Sequence, residues 1–419
     1  MNLLEDLRWR GLLAQSTDEA ALLESLKKPI TLYVGFDPTA PSLHVGNLVV
    51  LLVLRRFQLA GHTPIALVGG ATGLVGDPSG KNEERTLNST EIVEGWVNRI
   101  RQQVSAFLDF DAPKNPALVV NNLDWTSPLS AIEFLRDIGK HFSVNQMLSK
   151  DSVSARLEGG GISYTEFSYQ VLQSYDFLDL YRRNNCTLQV GGSDQWGNIV
   201  AGLDLIRRVE QGSGHALTVP LLMKADGTKF GKTAGGSVWL DPEMTSPYAF
   251  FQFWLNSDDK DVINFLKVFS FKSHDEIKEL EKSHNENPGL REAHRALARE
   301  LTALVHSEET TQRVEAAARA LFGQGELAEL DEATLASALA ELPRTTISAQ
   351  DEIPTWVDLL AATGVVDSKS AARRIVKEGG AYLNNEKISG EDFRPSKSDF
   401  LCGKYAVLRK GKRDLAAVE

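Results

Sequence analysis

The chain has little of what a disulfide-linked, zinc-binding or membrane protein needs. Its 419 residues include two cysteines, Cys186 and Cys402, which lie far apart in the sequence. Two cysteines form no disulfide framework and no Cys-x-x-Cys zinc spacing, so we expect a reduced, cytoplasmic setting without zinc. The longest apolar run, Leu48 to Leu54, has seven residues, whereas a membrane helix needs about 20. The first residues also lack the basic and apolar segments of a signal peptide.

Net positive charge is missing as well. The sequence contains 45 Lys and Arg against 56 Asp and Glu, a net charge of −11. Proteins that bind DNA or RNA usually present a basic surface, so this total argues against a nucleic-acid partner. The distribution is uneven, however, because residues from 354 onward include 12 Lys and Arg against 9 Asp and Glu. The acidic excess therefore belongs to the rest of the chain.

Length and composition predict a folded protein of about three domains. Apolar, strand-like segments alternate with helical ones in the first half, at Thr31 to Val34, Leu43 to Ala60, Pro64 to Val68, Glu91 to Leu108, Thr187 to Val190 and Asn198 to Val209. This alternation predicts an α/β domain with a parallel sheet, helices on both faces and ligands beyond the carboxyl ends of the strands. From about Asp258 to Phe322, helical spacing of Ala, Leu, Glu and Arg predicts a helical domain.

An early segment, His44-Val45-Gly46-Asn47, has the character of a phosphate site. It follows the first strand and opens a helix, whose free N–H groups and dipole attract anions. Thr39 and His44 are both placed to donate to an anion, and Gly46 allows close approach to the main chain. Taken alone, the segment is more simply a capping turn with an exposed histidine.

A second segment, Lys224 to Thr233, is a glycine-containing loop with Lys229 and Lys232 three residues apart. It fails the P-loop pattern, because Asp226 stands where that pattern needs glycine. No G-x-G-x-x-G follows a strand either, which removes support for nicotinamide and flavin cofactors. A basic loop able to close over phosphates remains.

The run Ser163-Tyr164-Thr165-Glu166 predicts a capping box at the start of a helix. On that helix, Tyr169, Gln173 and Asp176 share one face. This polar face either meets water or lines a pocket. In the second case Tyr169 and Gln173 would hold an ammonium group, and Asp176 would accept a hydrogen bond deeper in.

Several segments together resemble the bacterial tyrosyl-tRNA synthetases of class I. The pair HVGN and KFGKT stands in the order of that class's HIGH and KMSKS signatures, and the similarity covers essentially the whole chain. Further matches are Tyr33 to Thr39, Gly69 to Gly73, Gly76-Asp77-Pro78, Glu166 to Tyr169 and Gly191 to Asn198. The chain departs from the pattern in three places: Asn47 replaces the second His of HIGH but keeps a donor amide, Val34 stands where relatives often have Cys, and in the second signature Phe230 and Thr233 replace Met and Ser of KMSKS.

The resemblance implies a role for each matched residue. Tyr33 and Asp176 would bind a phenolic hydroxyl and so reject phenylalanine, which would leave them unpaired. The other implied tyrosine-binding residues are Thr72, Asp77, Tyr169, Gln173 and Gln195. The implied ATP-binding residues are Gly35, Asp37, Thr39, His44, Gly46, Asn47, Gly192, Asp194, Lys229 and Lys232. The implied catalytic residues, which stabilise the phosphates, are Thr39, His44, Lys229, Lys232, Lys81 and Arg85.

The implied reaction is tyrosine activation by ATP followed by transfer to the terminal adenosine of tRNA(Tyr). Mg²⁺ is expected with ATP, and no organic cofactor or protein metal site is implied. The implied state is a cytoplasmic homodimer that binds neither membrane nor DNA. The implied organisation is a Rossmann-like catalytic domain with a dimerisation insertion (1–222), a linker with the KFGKT loop (223–247), an α-helical anticodon domain (248–325), an acidic linker (326–352) and a small α+β RNA-binding domain (353–419).

The last module concentrates basic residues, with five Lys or Arg between Lys404 and Arg413. Taken alone, such a run is more simply a solvated charged face. With Tyr382 and Tyr405 nearby it also suits RNA phosphates and base stacking, and it resembles the ribosomal-protein-like domain that ends bacterial tyrosyl enzymes. The predicted RNA-binding residues are Arg373, Arg374, Lys404, Arg409, Lys410, Lys412 and Arg413.

Two other interpretations stay open at this point. One is another enzyme with the HIGH signature, above all a tryptophanyl-tRNA synthetase. The pair Tyr33 and Asp176 favours a tyrosine-specific enzyme over this one. The other is a non-catalytic RNA-binding protein with a degenerate synthetase domain, against which the intact signature residues speak. Pyrophosphate exchange across amino acids distinguishes all three.

Overall fold

The computed structural model describes residues 2–79, 88–150, 153–154, 156–157, 161–233, 236–340, 342–348, 352–411 and 414–419, without the side chains of 232 and 233. The chain forms two compact units. One comprises Met1–Asp241 and Ser257–Ala293, and the other comprises Pro242–Asn256 and His294–Glu419. Among the described residues, no helix has both the length and the apolar character that crossing a bilayer requires.

The helices are α1 (Leu3–Trp9), α2 (Glu19–Ser25), α3 (Val45–Leu59), α4 (Thr72–Val75), α5 (Thr90–Ser105), α6 (Leu123–Thr126), α7 (Ala131–Glu133), α8 (Val144–Leu148), α9 (Tyr164–Asn184), α10 (Trp196–Glu210), α11 (Pro247–Leu255), α12 (Val262–Phe269), α13 (His274–Glu286), α14 (Glu292–Val305), α15 (Glu308–Leu321), α16 (Glu332–Ala340), α17 (Trp356–Ala362) and α18 (Lys369–Lys377). The strands are β1 (Gln15–Ser16), β2 (Thr31–Phe36), β3 (Thr63–Val68), β4 (Leu118–Asn121), β5 (Cys186–Gly192), β6 (His215–Val219), β7 (Lys232–Thr233), β8 (Gly236–Ser237), β9 (Arg344–Thr345), β10 (Ala381–Leu383), β11 (Glu386–Lys387), β12 (Ala406–Lys410) and β13 (Asp414–Val418).

The first unit is built on a six-stranded sheet of order β1-β6-β5-β2-β3-β4. Strands β6, β5, β2, β3 and β4 are parallel, and β1 joins the edge antiparallel to β6. This confirms the predicted α/β fold, with the three predicted strands at β2, β3 and β5. Leu32, Tyr33 and Val34 in β2 are at most 1% exposed, as expected for a central parallel strand covered on both faces.

Local signals set most helix ends. Gly61 follows α3 with φ of 96°, a left-handed conformation that is common just after a helix end. Ser89 caps α5 by accepting the Ile92 N–H.

The predicted capping box of α9 is only half present. The Ser163 hydroxyl accepts the Glu166 N–H at 3.2 Å, but the Glu166 carboxylate does not return to the Ser163 main chain. It lies 2.8 Å from the Arg156 guanidinium, and these side chains are 1% and 5% exposed. Leaving a buried charge unpaired costs more free energy than leaving a helix end without a second cap. The Glu166 carboxylate therefore pairs with Arg156 and does not cap the helix.

The second unit contains helices α11 and α14 to α18 and a five-stranded sheet of order β11-β10-β12-β13-β9. The segment predicted as an acidic linker, 326–352, holds α16, which buries Leu335 and Leu339. It also holds β9, which pairs in parallel with β13. The remaining strands pair antiparallel, β10 with both β11 and β12 and β12 with β13, around a core that includes Trp356 and Leu408. The division of the chain into five functional segments stays a prediction.

Candidate active site

Polar residues gather at one edge of the six-stranded sheet, where the parallel strands end. Asp37 follows β2, the Gly69-Gly70 turn follows β3, Asn121-Asn122 closes β4, and Gly192 ends β5. The carboxyl ends of parallel strands meet at one edge, and open α/β sheets bind ligands there. The sheet therefore collects most of the predicted site residues in one place.

Asp37 joins two of the predicted tyrosine-binding residues. Its carboxylate accepts hydrogen bonds of 2.6 Å from the Tyr169 hydroxyl and of 2.6 Å from the Thr72 hydroxyl. Burial raises the pKa of Tyr169 well above its ordinary value, and the Asp37 and Asp77 carboxylates raise it further. The Tyr169 hydroxyl thus stays protonated at neutral pH, and Asp37, predicted to bind ATP, also positions the tyrosine-binding residues.

Asp176 is held from both sides by residues near the end of β4. Its Oδ1 accepts from the Trp125 indole at 2.8 Å, and its Oδ2 accepts from the Asn122 amide at 2.9 Å. Asp176 is 2% exposed. Burial raises its pKa to about 8, although the two N–H donors oppose the rise. Asn122 also donates to the Thr72 hydroxyl at 3.0 Å, so one network runs from Asp37 to Asp176.

The buried polar atoms that have no hydrogen-bond partner within the described part of the chain include the Tyr33 hydroxyl, Gln173 Oε1 and Gln189 Oε1. Burial and the nearby Asp176 carboxylate raise the pKa of Tyr33 well above its ordinary value. Gln189 lies opposite Tyr33 in the pairing of β2 with β5. Because buried polar groups in native proteins are nearly always paired, these atoms indicate the place of a polar ligand.

Asp77 is the centre of a second polar group. Its carboxylate accepts from the Gln195 amide at 2.7 Å and from the Ser79 N–H at 2.9 Å. Asn198 donates to Gln195 Oε1 at 3.2 Å. These bonds bring together the predicted residues Asp77 and Gln195, whose positions are 118 apart in the sequence.

Asp194 lies beside this group. Loss of surrounding solvent raises its pKa, and the Asp77 carboxylate raises it further, while Gln195 and Lys229 oppose the rise. Lys229, from the KFGKT segment, is therefore close enough to act on Asp194. A cation bound among these carboxylates would favour their charged forms.

Glycines give these networks room. A Cβ atom at Gly69 would overlap the Asp37 carboxylate and the Thr72 hydroxyl, and one at Gly70 would overlap the Asn121 amide. Any side chain at either position would break the contacts between the ends of β2, β3 and β4.

The HVGN segment caps helix α3. His44 Nδ1 accepts the Gly46 N–H at 3.0 Å, and Asn47 Oδ1 accepts the His44 N–H at 3.1 Å. Since Nδ1 is the acceptor, Nε2 carries the proton of the neutral ring. A Cβ at Gly46 would lie 2.7 Å from the His44 ring, so a glycine at this position leaves the space that the ring occupies. Gly35 and Thr39, which precede this segment in the sequence, are both exposed.

The KFGKT segment is joined to HVGN through the main chain. Val45 donates its N–H to the Val238 carbonyl at 3.0 Å, and Val238 donates to the Gly231 carbonyl at 3.1 Å. Lys229 is exposed. Lys232 contributes its main chain to β7, but its side chain, like Lys81 and Arg85, lies outside the described part of the chain.

The predicted RNA-binding residues lie in the second unit, and those that are described contact other side chains. The ion pairs are Arg373–Glu391 at 3.8 Å, Arg374–Glu378 at 3.8 Å, Lys404–Glu332 at 2.6 Å and Lys410–Asp414 at 3.1 Å. The Arg409 guanidinium lies 3.9 Å from the centre of the Tyr382 ring. Exposed ion pairs of this kind contribute little free energy, so they can exchange for phosphate. Lys412 and Arg413 fall outside the described residues.

Sequence reasoning missed Asn122, Trp125 and Gln189. Asn122 had a usable signal, since the pair Asn121-Asn122 directly follows the apolar run Leu118 to Val120 and polar residues after a strand of a parallel sheet are site candidates. Trp125 and Gln189 had none, because an indole in a short helix and an amide within a strand are ordinary features.

Comparisons with known proteins agree with this geometry. The family described as "tRNA synthetases class I (W and Y)" matches residues 24–323, and "Tyrosine--tRNA ligase SYY-like C-terminal domain" matches residues 334–418. A tyrosine–tRNA ligase of Streptomyces coelicolor is 62% identical over 100% of this chain and 99% of its own length. One of Thermobifida fusca is 58% identical, with the same coverage of 100% and 99%.

A solved structure extends the agreement to the fold. The C-terminally truncated mitochondrial tyrosyl-tRNA synthetase of Aspergillus nidulans superposes with a TM-score of 0.68 at 30% identity, covering 76% of this chain and 94% of that one. Two family descriptions and full-length relatives thus point the same way. The chain belongs to the tyrosine–tRNA ligase family of the class I tRNA synthetases.

Proposed function

We propose that this protein attaches L-tyrosine to tRNA(Tyr) in two steps. In the first, the tyrosine carboxylate oxygen bonds to the α-phosphorus of ATP, and the bond to the departing pyrophosphate breaks. In the second, a ribose hydroxyl of the terminal adenosine attacks the acyl carbon, and AMP leaves. One observation carries the proposal. The Tyr33 hydroxyl is buried near Asp176 and has no hydrogen-bond partner among the described side chains.

Tyrosine would be recognised at both ends. Its phenolic hydroxyl would pair with Tyr33 and Asp176, and phenylalanine would leave these buried groups unpaired. Its ammonium group would lie among Asp77, Tyr169 and Gln173, where carboxylates favour a cation. Thr72 and Gln195 would support this end through their bonds to Asp37 and Asp77.

The first step requires no enzyme nucleophile and no general base, because a carboxylate is already ionised at neutral pH. Catalysis would come from positioning and from stabilising negative charge on the phosphates. Thr39, His44, Lys229 and Lys232 would supply that charge stabilisation, with Lys81 and Arg85. Mg²⁺ would enter as part of the MgATP substrate, held by phosphate oxygens and water.

The adenosine would bind near the strand ends, against Gly35, Asp37, Gly46, Asn47, Gly192 and Asp194. The last module would bind tRNA through Arg373, Arg374, Lys404, Arg409 and Lys410, with Lys412 and Arg413. Support for this comes from weak, exchangeable ion pairs at the described positions and from the stacked pair of Arg409 and Tyr382. We place this activity in the cytoplasm, where tRNA charging takes place.

The direct test of the function is exchange of labelled pyrophosphate into ATP, with each amino acid in turn. We expect exchange with tyrosine, and loss of at least about 100-fold in kcat/KM with phenylalanine or tryptophan. In the same assay, His44→Ala and Lys232→Ala should slow adenylate formation far more than they weaken tyrosine binding. Exchange driven by tryptophan, or normal rates in both variants, would overturn the assignment.

We also propose that two copies of the chain associate. Large apolar side chains are strongly exposed between residues 132 and 164, with Ile132 at 70%, Val144 at 59% and Tyr164 at 71%. We infer that these side chains contribute to one interface, because large exposed apolar surface marks interaction sites. Light scattering should report a dimer for the wild type and a monomer for Ile132→Glu/Val144→Glu. Leu59→Glu, which charges a residue 68% exposed elsewhere in the first unit, should stay dimeric.

A further inference from the structure

Two residues of the loop from Lys224 to Thr233, which contains KFGKT, contact helix α12 or the residue just before it. Asp261, directly before the helix, accepts a 2.9 Å hydrogen bond from the Ala225 N–H. Phe230 packs with its ring centre 4.9 Å from that of Phe265 and 5.3 Å from that of Phe269. Phe230 is 8% exposed, whereas the adjacent Lys229 is exposed. The apolar residue of the motif is thus anchored to α12 while the basic residue faces outward.

The stretch between these two anchors is a closed turn. Gly227 donates its N–H to the Lys224 carbonyl at 2.9 Å, and Lys224 donates to the Thr228 carbonyl at 2.9 Å. The Asp226 carboxylate accepts the Thr228 N–H at 2.8 Å. Met223 and Lys229 face each other as an antiparallel bridge. A turn closed in this way moves as one body, so its anchors determine the position of Lys229.

The other end of α12 is fixed to the helix that begins at HVGN. Arg56, in the last turn of α3, donates to the Ser270 carbonyl at 2.6 Å. Arg10 donates to the carbonyls of Lys267, Ser270 and Lys272 at 3.2, 3.0 and 2.8 Å. Both guanidinium groups are buried and satisfy carbonyls that a helix end leaves without partners. Helix α12 therefore contacts the turn at Ala225 through its start, Phe230 through Phe265 and Phe269, and α3 through its C-terminal end.

We propose that α12 sets the distance between the two phosphate-binding signatures, with Asp261 and Phe265 as positioning residues for the activation step. This inference rests on the proposed function. Tyrosine binding should not depend on α12, because the tyrosine pocket is built from β2, α9 and the end of β4. Positioning of the phosphates should depend on it, because displacement of a catalytic group by about 1 Å lowers rates by up to about 100-fold.

The test compares Asp261→Ala with Asp261→Asn, whose amide oxygen can still accept the Ala225 N–H. We expect Asp261→Ala to slow adenylate formation by about 10- to 100-fold, with the tyrosine Kd unchanged. Asp261→Asn should recover most of the rate. Asp275→Ala, which removes a carboxylate 96% exposed in the first turn of α13, is the matched control and should behave as wild type. Phe265→Leu should show the same separation of rate from affinity.

A double-mutant cycle with Lys229→Ala separates positioning from general damage. If Asp261 acts through the loop, Asp261→Ala should slow Lys229→Ala much less than it slows the wild type. Fully additive losses, or a wild-type rate in Asp261→Ala, would overturn the inference while leaving the proposed function intact. A wild-type chain without tyrosine-dependent exchange would overturn both.

Discussion

At the scale of single residues, the pocket concentrates carboxylates in the place where the substrate's ammonium group should lie. The donors to Asp37 and Asp77 include hydroxyls and an amide. Such neutral donors orient a carboxylate without cancelling its charge. A cationic ligand adds an electrostatic stabilisation that neutral donors do not supply.

Asp176 should make the stability of the free protein depend on pH. Its pKa is about 8 in the folded chain against an ordinary value of 3.8. Below both values the carboxyl group is protonated in either state. Between them the unfolded chain releases a proton that the folded chain keeps, so rising pH favours unfolding, by at most about 1.4 kcal/mol per pH unit. Stability contributed by this group is thus lost as pH rises towards 8.

The measurement is the thermal unfolding midpoint from pH 5 to pH 8.5. We expect the wild-type midpoint to fall more steeply with pH than that of Asp176→Ala, which has no carboxyl group to titrate. The variant loses two hydrogen bonds at every pH, so the slope and not the absolute midpoint is informative. Identical slopes would show that Asp176 is already ionised in the folded chain.

Asn122 should matter for tyrosine affinity although it was not among the residues predicted from the sequence. Asn122→Ala removes one of the two donors that hold Asp176, and we expect tyrosine to bind about 10-fold more weakly, since leaving a buried polar group without its partner costs about 1 to 3 kcal/mol. The KM for ATP should stay unchanged. Equilibrium dialysis with labelled tyrosine measures the affinity, and Asn98→Ala, on the exposed face of α5, is the control. Unchanged affinity would mean that Trp125 alone positions the carboxylate.

The residues to which we assign chemistry could be proposed from the sequence where a motif marks them, and not where they act through another residue. Tyr33, Asp176 and Asp77 lie in recognisable segments. Asn122 and Trp125 reach Asp176 across 54 and 51 sequence positions, and no local pattern records such a contact. The unpartnered oxygen of Gln189 likewise appears only once β5 is paired with β2.

At the scale of elements, we expect the start of α3 to join helix capping and ATP binding in one residue. Asn47 Oδ1 accepts the His44 N–H, and Asn47 is also one of the residues that we assign to the ATP site. Asn47→Ala should destabilise the protein by about 1 kcal/mol through the lost cap and should also slow activation. Asn47→Asp keeps the acceptor oxygen and favours the helix dipole, but it places negative charge near the phosphates.

Thermal melting and pyrophosphate exchange separate these two effects. We expect Asn47→Asp to melt like the wild type and to activate tyrosine more slowly, and Asn47→Ala to be impaired in both assays. Normal activation by Asn47→Asp would remove Asn47 from the ATP site and leave it as a capping residue alone.

Elements with strong apolar runs were predicted well, and marginal ones were not. The buried strands β2, β3 and β5 and the helices between them appear close to their predicted bounds. Strand β4 was missed because it is a partly exposed edge strand of four residues, whose periodicity is weak. Of the predicted capping box of α9, only the Ser163 bond is present. Glu166 pairs with Arg156 instead, and no local sequence pattern indicates that contact. Strand β9 was missed because two residues in an acidic segment join a sheet only through a distant partner, β13.

At the scale of the whole molecule, the charge is divided between functions. Residues from 354 onward have 12 Lys and Arg against 9 Asp and Glu, within a chain whose net charge is −11. An acidic catalytic body repels nucleic acid in general, and a small basic module attracts phosphates locally. The sequence total therefore argued against RNA only because it averaged two regions of opposite sign.

This division predicts that activation and charging can be separated by truncation after Ala340. A cut at 352 would leave β9 with unpaired main-chain groups, because β9 pairs with β13, whereas a cut after Ala340 removes the whole five-stranded sheet. We expect the truncated protein to activate tyrosine at a rate within about twofold of wild type, since the residues assigned to activation precede the cut, and to lose more than about 100-fold in kcat/KM for tRNA charging.

Salt dependence identifies the cause of that loss. Each phosphate contact contributes about 0.7 to 0.9 to the slope of log affinity against log salt, so wild-type binding of tRNA should weaken steeply between 50 and 200 mM salt. Residual binding by the truncated protein should weaken less, because the contacts removed are electrostatic. If charging fell but the slope stayed the same, the module would act by shaping the rest of the protein and not by gripping phosphates. If charging were unchanged, the tRNA would be bound by the acidic body alone, and the assignment of Arg373, Arg409 and their neighbours to RNA would fail.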